Sequence, residues 1–465
     1  MPPAAHPTPL RREQRRFLRT LFPEDGLLEA PEAMHIYGSD ASRQHSQPLA
    51  VVRPKTREQI QRLLAWAAKE HLPVYTRGRA TNVVGGCVPE QGGIVLSTLY
   101  LNQIEAIDDQ DFVAVVQPGV ITGELQKQAR RKGLLYAPDP ASAGMSSIGG
   151  NVATNAGGMR AVKYGVTRDA VLGLEAVLPG GRVITTGGRS HKNVMGLDVT
   201  SLLVGSEGTL AVVSKVWLKL LPAPQETASV LSFFPDLEGA LHAAQNLFAT
   251  GLLPVALELM DGDVLACIRQ VASLPEADQA GAALLVQVDG GSACVAAEKA
   301  VIESVCHDAG ASSQHAGLGV QEEARVWQAR RLISQASFRI APHKFSQDIT
   351  VPRGRVGPYI HGVKHIGAQE GVTILTFGHL GDGNIHTNIM HDNTREQERT
   401  ATRRAARRVM RLVLELGGTL SGEHGVGRTK YPYVQQQLGR EQQALMRRIK
   451  EIFDPSGILN PGKGY

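Results

Sequence analysis

The sequence predicts an α+β protein of two domains, and three observations carry that prediction. At 465 residues the chain exceeds what one hydrophobic core serves. Short β-rich runs alternate with helical stretches from Leu49 to Ala223, and a second such series follows Pro222-Ala223-Pro224, a run that breaks any regular element. The 50 glycines cluster at 78–93, 144–188, 205–208 and 378–427 instead of spreading evenly, which marks loops built for close backbone approach.

Taken in order, the Pro- and Arg-rich N-terminal segment reads as a helical extension. Leu49 to Val52 is a strand, Arg57 to Glu70 an amphipathic helix stopped before Pro73, and Val74 to Thr76 a strand. Ile94 to Leu96 and Val113 to Val116 are further strands, and Gly123 to Lys132 is helical. Gly173 to Leu178, Val183-Ile184 and Leu210 to Leu221 close the first series as strands. In the second series Ser229 to Phe234, Val255 to Met260 and Ala283 to Val288 read as strands. Leu237 to Thr250, Asp261 to Ser273 and Ala293 to Ala309 read as helices. The order strand–helix–strand–strand–helix–strand, ending at Val372 to Phe377 and His386 to Met390, predicts a ferredoxin-like sandwich. Asn393 is placed to cap a last long helix that stops at Gly417-Gly418. The boundaries predicted are 1–222, 223–424 and a C-terminal segment, 425–465.

Composition excludes several functions. Hydrophobic content of 42% and charged content of 20% describe an ordinary folded protein. No apolar run reaches the ~18 residues of a membrane span. Met1 to Leu27 lacks the apolar core of a secretory signal, so a cytoplasmic location is expected, at most peripheral to the inner membrane. Cys87, Cys267, Cys294 and Cys306 lack CxxC spacing, which argues against an iron–sulfur cluster, a zinc knuckle or a disulfide framework. Aromatics are sparse (5%) and not interleaved with basic residues, so no nucleic-acid partner is expected. The basic run Arg403-Arg404-Ala405-Ala406-Arg407-Arg408 has helical spacing and reads as a solvated face; a patch for anionic headgroups or an acidic redox partner is the alternative.

Three Gly-rich segments look built for a ligand. Arg77-Gly78-Arg79-Ala80-Thr81-Asn82 follows a strand, where a small-residue loop presents backbone N–H groups to phosphate. It is neither GxGxxG nor a P-loop. Gly144 to Gly158 carries no charge and nothing bulkier than Met or Ile before its end, which suits approach to a flat polar ring, with Thr154 and Asn155 offering hydrogen bonds. Gly205-Ser206-Glu207-Gly208-Thr209 repeats that chemistry. Later, Gly378-His379-Leu380-Gly381-Asp382-Gly383-Asn384-Ile385-His386 and Ser421-Gly422-Glu423-His424-Gly425-Val426-Gly427 hold three of the 15 histidines on Gly-bounded turns. Two imidazoles and a carboxylate are what a divalent metal requires.

Together these segments resemble a known family. Gly78 to Gly86, Gln117-Pro118-Gly119, Asp139-Pro140, Ile148 to Gly158 and Gly205 to Thr209 are similar to the FAD-binding domain of the vanillyl-alcohol oxidase (PCMH) type. The two histidine motifs, with Asn460-Pro461-Gly462, resemble the branch of D-lactate dehydrogenase, D-2-hydroxyglutarate dehydrogenase and the glycolate oxidase flavin subunit. The resemblance spans roughly residues 35 to 465. It implies a two-part FAD domain completed by the C-terminal tail, and a substrate domain over the flavin. The cofactor residues implied are Arg77, Gly78, Arg79, Ala80, Thr81, Asn82, Pro118, Gly119, Asp139, Pro140, Gly149, Gly150, Asn151, Thr154, Gly157, Gly158, Glu207, Val212 and Asn460. Arg79, Ala80 and Asn82 depart from the family's smaller loop residues. The loop offers no His or Tyr for a covalent flavin bond, so dissociable FAD is expected.

The resemblance also implies a chemistry. His379, His386 and Glu423 match the family's metal ligands, with zinc or manganese as the expected ions, and His424 its proposed base. Trp327-Gln328-Ala329-Arg330 resembles the Trp-x-x-Arg whose arginine holds the substrate carboxylate; Asn388 and Ser334 are further expected substrate contacts. The family's lysine that reads a distal carboxylate is replaced by Ser346, with Lys344 nearest. This favours a small monocarboxylate. The expected reaction is metal-assisted oxidation of a D-2-hydroxy acid, D-lactate first, by hydride transfer to flavin N5. Electrons pass on to a quinone, cytochrome or electron-transfer flavoprotein, and a homodimer is the candidate assembly. D-2-hydroxyglutarate or glycolate oxidation, a non-catalytic redox scaffold, and an alkyl-glycerol precursor as substrate are the alternatives.

Overall fold

Runs of β-branched residues make the sheets that position the site. The computed structural model describes residues 9–272 and 278–464. They divide into two units: the first takes the chain through Gly157, Gly165–Ala223 and the segment from Glu423, and the second takes Gly158–Tyr164 and Pro224–Gly422. Among the described residues no helix is long and apolar enough to cross a membrane.

In the first unit β1 (Leu27–Leu28), β2 (Ala50–Val52), β3 (Val74–Arg77) and β4 (Ile94–Ser97) form a sheet of order β1-β2-β4-β3, with β2 and β3 parallel to β4. Parallel neighbours need a crossover, which the Arg57–Glu70 helix supplies between β2 and β3. Thr56 caps it by accepting the Gln59 N–H, and His71 ends it with φ 51. Its buried Ile60, Leu63, Leu64 and Ala67 recur at i, i+3, i+4, i+7 and pack on Val52, Val74, Ile94 and Leu96.

A second sheet follows. β5 (Ile104–Asp108), β6 (Val113–Val116), β8 (Val171–Val177), β9 (Val183–Gly187) and β10 (Val212–Lys219) are antiparallel in the order β5-β6-β10-β8-β9; β7 (Leu134–Leu135) pairs instead with β11 (Leu221–Pro222). β10 alternates buried and half-buried positions, placing Val216 and Leu218 against Leu125 and Leu174. The Gly-rich stretch expected to be irregular contains a short helix, Ile148–Thr154, whose N-cap Ser147 accepts the Gly150 N–H. That cap explains how two glycines are carried in a helical turn.

The second unit is one seven-stranded sheet: β12 (Glu226–Phe234), β13 (Ala256–Asp261), β14 (Ala282–Gly290), β15 (Ser313–Leu318), β16 (His343–Thr350), β17 (Ile374–His379) and β18 (Asn384–His391), in the order β15-β12-β14-β13-β17-β18-β16. The first four, with helices Leu237–Ala249 and Ser292–Asp308, give the ferredoxin-like pairing. It closes at β15, earlier than the sequence predicts, and β16 to β18 extend the sheet. β15 escapes a pattern search because it is a polar edge strand. The helix predicted over Asp261 to Ser273 forms as Gly262–Arg269, with Ser273 outside the described residues. The long C-terminal helix, Glu396–Glu415, starts after Arg395 and not at Asn393, whose N–H is taken by His343 Nδ1 at 3.2 Å.

Candidate active site

The first unit contains a cleft of about 410 Å³. Arg77, Gly78, Arg79, Ala80, Thr81 and Asn82 line it from the loop after β3, and Pro118 and Pro140 from two later turns. Gly149, Gly150, Asn151 and Thr154 line it from the short helix, Gly157 from beyond that helix, Glu207 from the next Gly-rich turn and Val212 from the start of β10. Of the other residues implied as cofactor contacts, Gly119, Asp139 and Asn460 lie outside the lining. A Cβ on Gly119 would fall 2.2 Å from the Thr98 carbonyl, Asp139 accepts from Gln126 Nε2 at 3.0 Å, and Asn460 Nδ2 donates to the carbonyls of Gly86 (3.0 Å) and Glu207 (2.6 Å). Gly158 falls in the second unit.

The cleft's walls are held close by the absence of side chains. A Cβ on Gly78 would sit 2.4 Å from Ser147 Oγ, and one on Gly149 2.5 Å from Pro118 Cβ. Ala80, where the family carries smaller residues, takes φ 55, and Asn82 Oδ1 closes the loop by accepting the Gly86 N–H at 3.0 Å. Cys87 also borders the cleft, and burial pushes its thiol up to about 11, although Arg77 pulls the other way.

Glu423 and His424 line the same cleft. Their imidazole and carboxylate lie 3.7 Å apart, Nε2 to Oε1. The turn carrying them is held by Glu207, which accepts from Val426 N at 2.6 Å and Gly427 N at 2.8 Å. Burial raises the Glu207 carboxyl while those two N–H groups oppose it. Gly157 makes room: a Cβ there would meet Glu423 Oε2 at 2.9 Å. The clamping role of Glu207 and the spacing role of Gly157 escaped sequence reading, which took both only as flavin contacts.

In the second unit, β17 and β18 are joined by a tight turn and pair Phe377 with His386 and His379 with Asn384. Their imidazoles lie 5.2 Å apart, centroid to centroid, edge to face. β13 pairs Glu258 directly with His379. The His379 Nδ1–H donates to Glu258 Oε1, and Glu258 Oε2 accepts from Arg330 Nε at 2.6 Å. Burial alone would raise the Glu258 carboxyl; the donors facing it, the His379 ring N–H and the Arg330 guanidinium, outweigh that and bring it to about 2. It is an anion between two donors. His386 Nδ1 lies 3.8 Å from Asp348 Oδ1, and Asp348 also accepts from Asn384 Nδ2 at 2.7 Å and, through Oδ2, from Gly422 N at 3.1 Å. Asn388 is buried opposite Ser346 on β16, and Ser334 accepts from Lys344 Nζ at 2.9 Å.

The donor chemistry fits a divalent metal. With Nδ1–H given to a carboxylate, His379 keeps Nε2 as its lone-pair nitrogen, the usual support for a ligating imidazole. Within this unit His379 and His386 offer the imidazoles of such a site. Sequence reading missed Glu258 and Asp348; the signal for Glu258 was one carboxylate inside the apolar run Ala256-Leu257-Glu258-Leu259-Met260.

Comparison with known proteins places these features. Residues 48–187 match the family described as "FAD binding domain", and residues 223–464 match "FAD linked oxidases, C-terminal domain". The chain is 39% identical to the glycolate oxidase subunit GlcD of Bacillus subtilis (strain 168), covering 92% of both chains. It is 33% identical to the D-lactate dehydrogenase of Anaerostipes hadrus, covering 93% of this chain and 91% of that one. Among solved structures, substrate-bound p-cresol methylhydroxylase superposes with a TM-score of 0.80 at 17% identity over 98% of each chain, which establishes the shared fold. The chain therefore belongs to the FAD-linked oxidases, in the branch of glycolate oxidase subunits, D-lactate dehydrogenases and D-2-hydroxyglutarate dehydrogenases.

Proposed function

We infer that this protein oxidises a D-2-hydroxy acid to the 2-oxo acid, with D-lactate as its substrate and glycolate as the smaller homologue. The observation that carries this reading is His424, a base lining the cleft formed by the FAD-domain loops. Bound FAD supplies the two-electron acceptor for hydride from the substrate's C2. His379, His386 and Glu423 would hold a divalent cation, zinc or manganese, which would supply the Lewis acidity that lowers the pKa of the substrate hydroxyl. His424 takes the hydroxyl proton through its ring nitrogen. Arg330 spends Nε on Glu258 and, among the described residues, makes no other hydrogen bond, so both its Nη groups are available to fork onto the substrate carboxylate. Asn388 and Ser334 complete the substrate contacts. FAD is held without a covalent bond, since residues 77–86 offer no His or Tyr to form one, and burial disfavours the thiolate of Cys87 beside them; flavin left in the acid-precipitated pellet would contradict this. Electrons leave to a quinone, a cytochrome or an electron-transfer flavoprotein.

A dicarboxylate reading has one observation in its favour. Lys344 Nζ reaches Ser334 Oγ, one turn from Arg330 on the Gln328–Ala336 helix, and Lys344 shares a sheet face with Ser346. A cation there suits the distal carboxylate of D-2-hydroxyglutarate. An anaerobic panel of D-lactate, D-2-hydroxyglutarate, the L-isomers of both, and achiral glycolate, scored by flavin bleaching with and without chelator, separates the readings. No bleaching by any of them would refute the proposed function. Bleaching by D-2-hydroxyglutarate alone would transfer it to the dicarboxylate.

A further inference from the structure

We propose that Glu258 is a positioning residue whose one carboxylate fixes both the metal-facing nitrogen of His379 and the carboxylate-binding fork of Arg330. This rests on reading His379 as a metal ligand and Arg330 as the substrate anchor.

Glu258 lies in the middle of the second unit's sheet and has no exposure to solvent. A charge so placed is costly unless every lone pair facing a partner is used. Here each oxygen has its own donor: Oε1 takes the His379 Nδ1–H and Oε2 the Arg330 Nε–H. Strand register sets the first contact, because Glu258 and His379 are directly opposed across β13 and β17. The second is set by the Gln328–Ala336 helix, which buries Ala329, Ile333 and Ala336 against the same core as Met260 and Phe377, and holds the Arg330 guanidinium 5.1 Å from the Phe377 ring centroid.

The strand itself does not demand a carboxylate. Opposite Glu258 on β14 stands Leu285, and Leu257 and Leu259 flank it in sequence. An apolar residue would satisfy this sheet, and replacing a buried ion pair with apolar groups is often neutral to stability. What only a carboxylate provides is two acceptors at once. It keeps the proton on His379 Nδ1, leaving Nε2 to bind a cation. It also occupies Arg330 Nε, leaving both Nη groups to act as a pair. Glutamine has one acceptor oxygen and presents an N–H₂ to the other donor, so it must break one arm.

The test uses the FAD-loaded protein and two probes read without turnover: Mn²⁺ binding by electron paramagnetic resonance, and oxalate binding by perturbation of the flavin spectrum. In Glu258→Gln we expect the Kd of Mn²⁺ or of oxalate, or both, to rise at least tenfold. Glu258→Asp, which keeps the charge but withdraws it by one methylene, is the second variant should the first fail to retain flavin, and the same tenfold loss is expected of it. His379→Ala should abolish tight Mn²⁺ binding. Arg330→Met should weaken oxalate tenfold with Mn²⁺ unchanged within twofold. If the Glu258 variants bind both probes within twofold of wild type while the His379 and Arg330 variants show their losses, Glu258 is structural only and the proposal fails, whatever happens to the thermal midpoint. If wild type binds no Mn²⁺, or His379→Ala binds it normally, the metal reading beneath the proposal falls and takes it along.

Discussion

His424 lines the cleft beside Glu423, and the proposed function makes it the base. Its side chain retains 33% of its exposure, whereas that of its neighbour Glu423 retains 13%, so the acid is held while the imidazole faces the cleft. His424→Ala should slow flavin reduction by ~10²–10⁴-fold with FAD content unchanged; rapid anaerobic mixing measures this, and a loss under tenfold would remove His424 from the proton step. Gly157→Ala tests the seat of Glu423 from the other side. The new Cβ would press on Glu423 Oε2 at 2.9 Å and Cβ at 3.2 Å, so metal affinity should fall. Overpacking of this kind costs ~1–3 kcal/mol, which urea denaturation resolves. Glu207 gives a pH signature. Its ordinary value is 4.5 and burial raises it in the folded chain, so above 4.5 the folded state holds a proton that the unfolded state has lost. Stability therefore falls as pH rises through that window. Glu207→Gln should flatten this slope; an unchanged slope in pH-dependent urea midpoints would assign it elsewhere.

Elements show where a single acid organises several strands. Asp261 ends β13, caps the Gly262–Arg269 helix by accepting Val264 N at 2.8 Å, accepts the Thr376 N–H of β17 at 2.8 Å, and pairs with Lys364 at 2.6 Å. Asp261→Ala strips a cap, a strand contact and an ion pair together, and should cost about 3 kcal/mol or more; a shift below about 1 kcal/mol in chemical denaturation would show that water replaces those bonds. Elements of this kind differ in how readable they are from sequence. The Arg57–Glu70 helix was legible because its apolar residues keep one face, and β10 because it alternates. β15 and β16 were not, since an edge strand buries too little on either side to impose a period. The candidate site divides the same way. The two histidine motifs were legible because glycine and histidine crowd into nine and seven residues. Glu258 was not, because its partner His379 is 121 residues away and no local pattern announces a long-range pairing.

At the scale of the whole chain, the first unit's sequence is interrupted by Gly158–Tyr164, which belongs to the second unit, where Lys163 Nζ and Tyr164 Oη bond Asp289 at 2.6 and 2.9 Å. Such a crossing leaves no compositional mark. The segment from Glu423 shows the opposite case, a tail whose function is legible only in three dimensions. Leu459 bridges Val74 in parallel, Asn460 N donates to the Val74 carbonyl at 2.9 Å, and Ile458 and Leu459 are buried in the β2–β4 core. Three residues on from Val74 stands Arg77, the end of β3, where the loop that lines the cleft begins. Asn460 further ties Gly86 to Glu207, both of which line the cleft, and Lys463 pairs with Glu90. Removing residues 459–465 deletes all of these ties while leaving Glu423 and His424 in place. The truncated protein should purify with substoichiometric flavin, and added FAD should raise its melting temperature less than that of the full chain by the linkage of ligand to the folded state. Equal flavin content and equal FAD-induced stabilisation in the two chains would mean that β3 and its loop hold their shape alone.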